Sequence, residues 1–127
     1  MRRLVAGVLT AFVWTTLTGS AQAHHSFAMF DTEHPIEIAG TVKEFKWVSP
    51  HSILIVEVRG EDGTVKNWTL EGDAPSLLRR QGTTATSLKP GDEVVVTVSP
   101  LHSGAAGGLF RARQVKFKDG RPLVLAQ

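Results

Sequence analysis

The sequence predicts an all-β domain, a small barrel of five strands. Short apolar segments with strand-like alternation follow one another along the chain, and only one segment has a helical pattern. With 127 residues, of which 42% are hydrophobic and 20% charged, the chain can build one apolar core but not two independent ones. It contains no cysteine, which excludes a disulfide scaffold, thiol catalysis and zinc–cysteine sites.

Residues 1–23 have the features of a secretory signal peptide. Two arginines follow Met1, an uncharged run extends from Leu4 to Leu17, and small residues precede Ala23. The uncharged run is shorter than the roughly 20 apolar residues that cross a bilayer, so we expect cleavage and no membrane anchor after processing. Cleavage after Ala21 and cleavage after Ala23 both fit the pattern. The expected location is the periplasm.

The charge of the processed chain argues against a nucleic-acid partner. Cleavage removes Arg2 and Arg3 from the 14 basic residues, which leaves as many basic side chains as the 12 acidic ones. Nucleic-acid binding draws most of its affinity from basic side chains that displace counterions. We therefore expect the partner to be a metal ion or another envelope protein.

The processed chain divides into an N-terminal arm at 24–35 and a barrel domain at 36–127. Alternation predicts a first strand that ends near Trp47, although its two faces cannot be assigned. Asp62-Gly63 predicts a tight hairpin turn. In the helical segment Asp73 is the expected N-cap, Pro75 suits the first turn and Gly82 ends it. The predicted elements are strands at 36–47, 53–59, 64–71, 93–99 and 109–118, a helix at 74–82 and a short final piece at 123–125.

This order of elements predicts an OB-like fold. Three strands, one short helix and two further strands is the order of the OB-fold, a partly open Greek-key barrel. The turn from Leu88 to Asp92 leads into the fourth strand, and a glycine-rich loop from Pro100 to Gly108 leads into the fifth. A small β-sandwich and an SH3-like barrel are the alternatives, and a helix in this position counts against both.

The five histidines all lie outside the predicted strands, on the arm and in loops. In the OB-fold the loop between strands one and two and the loop between strands four and five flank the usual ligand face. His51 falls in the first of these loops and His102 in the second. We therefore predict a metal site formed by His24, His25, His51 and His102, with copper or another divalent metal as its ion. His34, beside Pro35, is interpreted as a turn residue.

The two cleavage positions predict different metal geometries. Cleavage after Ala23 makes His24 the first residue, so its α-amino group and imidazole chelate one ion, and His25 in second position offers a further mode. Cleavage after Ala21 places His24 third, which gives a planar site with four nitrogens. Copper(II) favours such nitrogen donors and has the highest affinity of the common divalent ions.

The sequence also leaves a metal-free function open. It contains no nucleophile elbow, phosphate loop or H-E-x-x-H pair, and we expect that the protein is not an enzyme. The alternative is an accessory domain of an envelope complex, with Trp68, Arg111 and Arg113 contacting the partner. For Trp47 and Trp68 we expect positions in the core or at its rim.

Several separated segments resemble an uncharacterised family of small exported bacterial proteins that is known only as a domain of unknown function. The resemblance implies a one-domain, all-β periplasmic protein and assigns no activity. His24, His25, His51, Trp47 and Trp68 lie in these segments, whereas His102 does not. The segments are 24–31 (HHSFAMFD), 40–42 (GTV), 45–51 (FKWVSPH), 68–71 (WTLE) and 88–92 (LKPGD).

Overall fold

A computed structural model describes residues 27–124 of the chain. His24 and His25 therefore lie outside the described residues, as do the predicted signal peptide and Leu125. Within the described part no helix is both long and apolar enough to cross a membrane. The elements are β1 (Ile36–Lys46), β2 (Ile53–Arg59), β3 (Val65–Glu71), α1 (Pro75–Arg80), β4 (Glu93–Pro100), β5 (Gly107–Leu109), a 3₁₀ turn (Ala112–Gln114) and β6 (Val115–Phe117).

The strands close into a barrel of the predicted class. Their order is β1-β2-β3-β5-β4, and β4 pairs in turn with β1, which completes the circle. All pairs are antiparallel except β3 with β5, which run parallel over Thr69–Glu71 and Gly107–Leu109. A five-stranded closed barrel with one short helix between β3 and β4 is an OB-like barrel, so the predicted fold class is confirmed.

A β-bulge explains why alternation could not assign the faces of the first strand. The pairing of β1 with β2 shifts between Val42, opposite Val56, and Glu44, opposite Ile55. The extra residue changes which side chains point inward, because alternation has a period of two. Val42 is buried before the bulge and Phe45 packs against the core after it. The other buried members of the core are Ile38, Leu54, Val56, Leu70, Leu88, Val94, Val96, Val98, Phe110 and Val115.

The helix α1 differs from its prediction at its N-terminus. It starts at Pro75, as expected for proline in a first turn, and the residue before it, Ala74, makes no side-chain capping bond. The predicted cap at Asp73 is wrong because the carboxylate of Asp73 pairs with Arg111, a residue far along the chain. Gly82 follows the helix with a positive φ of 87°, which fits its predicted role at the end.

The prediction of one continuous fifth strand at 109–118 is wrong. It forms two short strands, β5 and β6, which pair with different parts of the same strand β4. Between them the chain leaves the ladder: the Gln114 side chain accepts the backbone N–H of Arg111, and the N–H of Gln114 donates to the Arg111 carbonyl at 2.8 Å. These two bonds satisfy backbone groups that a continuous strand would pair with β4.

The predicted loop at 100–108 is shorter at both ends, since Pro100 belongs to β4 and Gly107 begins β5. Glycine is required here by close approach of the two strands. A Cβ on Gly108 would lie 2.3 Å from Cγ1 of Val98 and 2.5 Å from the Ser99 carbonyl oxygen. Glycines in this segment, which the sequence pattern assigned to a loop, therefore allow β5 to pair as a strand of the barrel.

The predicted Asp62-Gly63 turn is confirmed at the end of the β2–β3 hairpin. Gly63 has a φ of 79° and its N–H donates to the Gly60 carbonyl, while Asp62 accepts the N–H of Thr64 at 3.0 Å. Hydrogen bonds from the hydroxyl group and the backbone N–H of Thr64 hold the pKa of Asp62 below its ordinary value. At the other end of the domain the turn around Gly120 returns the chain along β6, where the Leu123 N–H donates to the Val115 carbonyl.

Candidate functional site

The last part of the arm is attached to the loop between β4 and β5. Phe30 forms an isolated antiparallel bridge with Leu101, and its side chain is buried. On either side of this bridge the His102 N–H donates to the Met29 carbonyl at 3.0 Å and the Asp31 N–H donates to the Pro100 carbonyl at 2.8 Å. The arm therefore extends the barrel wall, and it holds the β4–β5 loop that carries His102.

Asp31 organises the turn that follows. One of its carboxylate oxygens accepts the backbone N–H groups of Glu33 and His34, each at 3.1 Å. Both carboxylate oxygens also lie 3.1 Å from Nδ1 of the His34 ring. Desolvation raises the pKa of Asp31, but the hydrogen bonds from His34 and Glu33 outweigh it and place the pKa below its ordinary value. Asp31 therefore stays a carboxylate and fixes the position of the His34 ring.

A cavity of about 430 Å³ lies between this turn and the β4–β5 loop. His34 lines it from the arm and His102 lines it from the loop. Asp31 and Glu33 also line the cavity, so two acidic residues border it. The remaining lining residues are Phe27, Ala28, Phe30 and Thr32.

His51 lies in different surroundings, in the β1–β2 loop two residues before β2 begins. Its Nδ1 contacts a carboxylate oxygen of Glu71, and both side chains are about one third exposed. The two residues meet because Ile53, near His51, is paired with Glu71 in the β2–β3 ladder. If Nδ1 donates its hydrogen to this carboxylate, Nε2 of the ring keeps its lone pair for another partner. Metal-binding histidines commonly have such a carboxylate behind them.

The predicted loop positions of His51 and His102 are therefore both observed, but their neighbours differ from one loop to the other. His102 is grouped with the arm and His34, whereas His51 is paired with Glu71. Among residues 27–124 no three His, Asp or Glu side chains gather closely enough to hold a metal ion. A complete metal site would thus need a donor from outside that range, and His24 and His25 are the predicted donors there.

The interpretation of His34 as a turn residue is correct for its backbone but incomplete. His34 lines the same cavity as His102, and this proximity exists only because the arm docks on the β4–β5 loop. A local signal did exist, because an aspartate three residues before a histidine can bind both its N–H and its ring.

Side chains expected to form a partner surface have mostly internal contacts. Trp68 packs partly against the core, and Trp47 meets Phe45 edge to face with ring centroids 5.8 Å apart, as expected for core or rim positions. Arg111 pairs with the nearly buried carboxylate of Asp73. Arg113 remains exposed.

The chain belongs to a family of unknown function, DUF6152, whose match covers residues 13–112. The match confirms the resemblance of the sequence to an uncharacterised family. No curated protein and no solved structure matches the chain.

Proposed function

We propose that this DUF6152 protein is a small periplasmic binding protein that holds copper or another divalent metal through histidines. The proposed ligands are His24 and His25 at the processed N-terminus, with His51 and His102 in the two loops. The observation that carries the proposal is the attachment of the arm to the β4–β5 loop, with 3.0 Å between the His102 nitrogen and the Met29 oxygen. Because of this contact the N-terminal segment joins the barrel beside His102.

Chain length supports the same grouping. Phe27 lines the cavity that contains His102, and His25 precedes it by two residues. An extended chain spans at most about 3.6 Å per residue, so a two-residue link is no longer than about 7 Å. A donor tethered this closely has a high effective concentration at the cavity.

The donor set fits copper(II) best. Imidazole and amine nitrogens suit copper(II), which binds such sites more tightly than the other common divalent ions. His51 presents a free Nε2 with Glu71 behind its ring, the arrangement of a metal ligand with an outer carboxylate. Binding of this kind suits a metallochaperone, a metal-resistance protein or an accessory subunit of a metal-dependent complex, and none of these roles requires catalysis by the protein itself.

The test is a calorimetric titration of copper(II) into protein recovered from the periplasm. We expect a dissociation constant below about 1 µM, because several nitrogen donors act together. The combined change His25→Ala and His51→Ala should weaken binding. Binding that occurs only at millimolar copper, or that the double change leaves unaltered, contradicts the proposal. Mass spectrometry of the same sample identifies the first residue and any metal that the protein carries from the cell.

A second candidate function is the metal-free accessory domain. It is favoured by three exposed apolar side chains on the arm and the start of β1, since Phe27 is 45%, Met29 51% and Ile36 39% exposed. A contiguous exposed apolar patch is typical of a protein interface, and these three residues lie within ten positions of one another in the sequence. This function predicts a partner in envelope extract whose capture is lost on Met29→Ser with Phe27→Ser and is kept when His24 and His25 become Ala. The reverse pattern supports the metal proposal.

A further inference from the structure

We propose that the unpaired edge of β3 at Val65–Asn67 (the β3 edge) binds an extended, acidic segment of another protein as an added antiparallel strand. This inference goes beyond metal binding and does not depend on it. The groups that it uses are backbone N–H and C=O groups of β3 and one lysine side chain, and none of the histidines takes part.

The first step is that this part of β3 has a neighbouring strand on one side only. β2 pairs with the whole of β3, from Val65 to Glu71, without a register shift. On the other side β5 pairs only with Thr69–Glu71, in a parallel ladder of three residues. Within residues 27–124 no other strand pairs with Val65–Asn67. The N-terminal half of β3 is therefore an edge strand.

The second step is the direction of the backbone groups. Along an antiparallel ladder, residues that exchange hydrogen bonds with the partner strand alternate with residues whose N–H and C=O point the other way. Thr69 points away from β2, since its N–H donates to the Ala106 carbonyl at 3.2 Å. Asn67 and Val65 precede Thr69 by two and four residues and share its orientation. The β3 edge thus presents two N–H groups and two carbonyl groups outward.

The third step is that solvent reaches the β3 edge. The Val65 side chain is 47% exposed, and Lys66 and Asn67 are exposed as well. Proline and bulges commonly interrupt an edge strand, yet β3 contains no proline and its ladder with β2 is regular. Extended peptides bind such edges through main-chain hydrogen bonds, while their side chains determine specificity.

The fourth step is that Lys66 selects the partner. If two copies of the chain pair antiparallel through all four outward groups, Val65 of one copy lies opposite Asn67 of the other. Lys66 of one copy then lies directly opposite Lys66 of the other, and like charges at this position destabilise a strand pair. A segment with glutamate or aspartate there forms an opposite-charge pair instead. The expected partner segment therefore has a polar, an acidic and an apolar residue in succession, opposite Asn67, Lys66 and Val65.

The experiment is a titration of the full processed protein with the blocked peptide Thr-Thr-Glu-Val-Thr, followed by amide NMR. We expect saturable shifts of the Val65 and Asn67 amides with a dissociation constant below about 1 mM. Replacing the central glutamate of the peptide with lysine should weaken binding by about 10-fold. Absence of saturable shifts at Val65 and Asn67 refutes the proposal.

Amide exchange of the protein without peptide tests whether the β3 edge is unpaired. The Val65 and Asn67 amides should exchange faster than those of Lys66 and Trp68, which point toward β2. Addition of the peptide should slow exchange at Val65 and Asn67. Strong protection of these two amides before peptide is added would show that the edge is already covered and would overturn the proposal.

Peptide methylation tests the predicted register. In antiparallel pairing the second and fourth peptide residues direct their N–H groups at the β3 edge, whereas the central N–H points away from it. N-methylation of the second and fourth residues should therefore abolish binding. N-methylation of the central residue should leave the dissociation constant unchanged. A loss of binding from the central methyl group refutes the antiparallel register.

Protein variants test the two sides of the same contact. Lys66→Glu should reverse the preference, so that the lysine peptide binds about 10-fold more tightly than the glutamate peptide. Asn67→Pro should abolish binding of both peptides, because it removes one outward N–H, and its bonds to β2 are not affected. Lys116→Glu is the matched control, since Lys116 is an exposed lysine on β6. It should leave both affinities unchanged.

The outcomes separate this inference from its alternatives. An unchanged preference in Lys66→Glu, or the same reversal in Lys116→Glu, refutes the role of Lys66 even if Asn67→Pro fails to fold. A wild-type dimer in sedimentation that Lys66→Glu alters would place a second copy at the edge and overturn the proposal. Copper(II) binding is measured on the same samples, and its presence or absence decides the proposed function without affecting this result.

Discussion

Replacing Leu54 with Ala is expected to lower the free energy of unfolding by about 2–5 kcal/mol. Leu54 is 0% exposed and is the second residue of β2, opposite Phe45 of β1 and Leu70 of β3. Its side chain therefore joins three strands of the barrel wall. The change removes apolar contacts and leaves a cavity that the neighbouring strands cannot close, because both are fixed by their backbone hydrogen bonds.

Urea unfolding measures this loss, with Leu77→Ala as the matched control. Leu77 lies on α1 and is 40% exposed, so its truncation should change the free energy of unfolding by no more than about 0.5 kcal/mol. The expected result is a lower midpoint for Leu54→Ala at an unchanged denaturant slope. Similar midpoints for the two variants would show that the barrel core does not dominate stability.

Local patterns predicted the fold where strands pair with their neighbours in sequence. The hairpin of β2 and β3 was predictable because alternation and the Asp62-Gly63 turn agree with each other. The fifth strand was not, because Leu109 and Phe110 are both buried and so break the alternation. The strand character of Gly108 also escaped prediction, since it depends on the close approach of Val98 from another strand.

The candidate site, like the fold, was predictable only where it depends on local sequence. The loop positions of His51 and His102 follow from the fold class, and both were predictable. The contacts made by side chains from distant parts of the chain were not predictable. Glu71 contacts His51 across the β2–β3 ladder, and Asp73 pairs with Arg111 instead of capping α1. The sharing of one cavity by His34 and His102 was also not predictable, since that cavity forms only where the arm docks on the β4–β5 loop.

Replacing His24 and His25 together with Ala is expected to weaken copper(II) binding by more than about 100-fold, equivalent to about 2.7 kcal/mol. Within residues 27–124 no three metal-binding side chains gather, so the proposed site needs donors from outside that range. The double change removes two imidazoles from the segment that precedes Phe27. Ser26→Ala is the control, because it changes the same segment without removing an imidazole.

The electron paramagnetic resonance spectrum of the copper complex gives this prediction a second measurement. A chain that begins at His24 coordinates through its amine and the first imidazole, whereas a chain that begins at Gln22 has a histidine in third position and offers four planar nitrogens. The number of coupled nitrogens should therefore follow the first residue found by mass spectrometry. In the double variant both patterns should vanish and only weak binding by loop histidines should remain. Tight binding with an unchanged spectrum would place the metal on the barrel alone and refute the role of the N-terminal histidines.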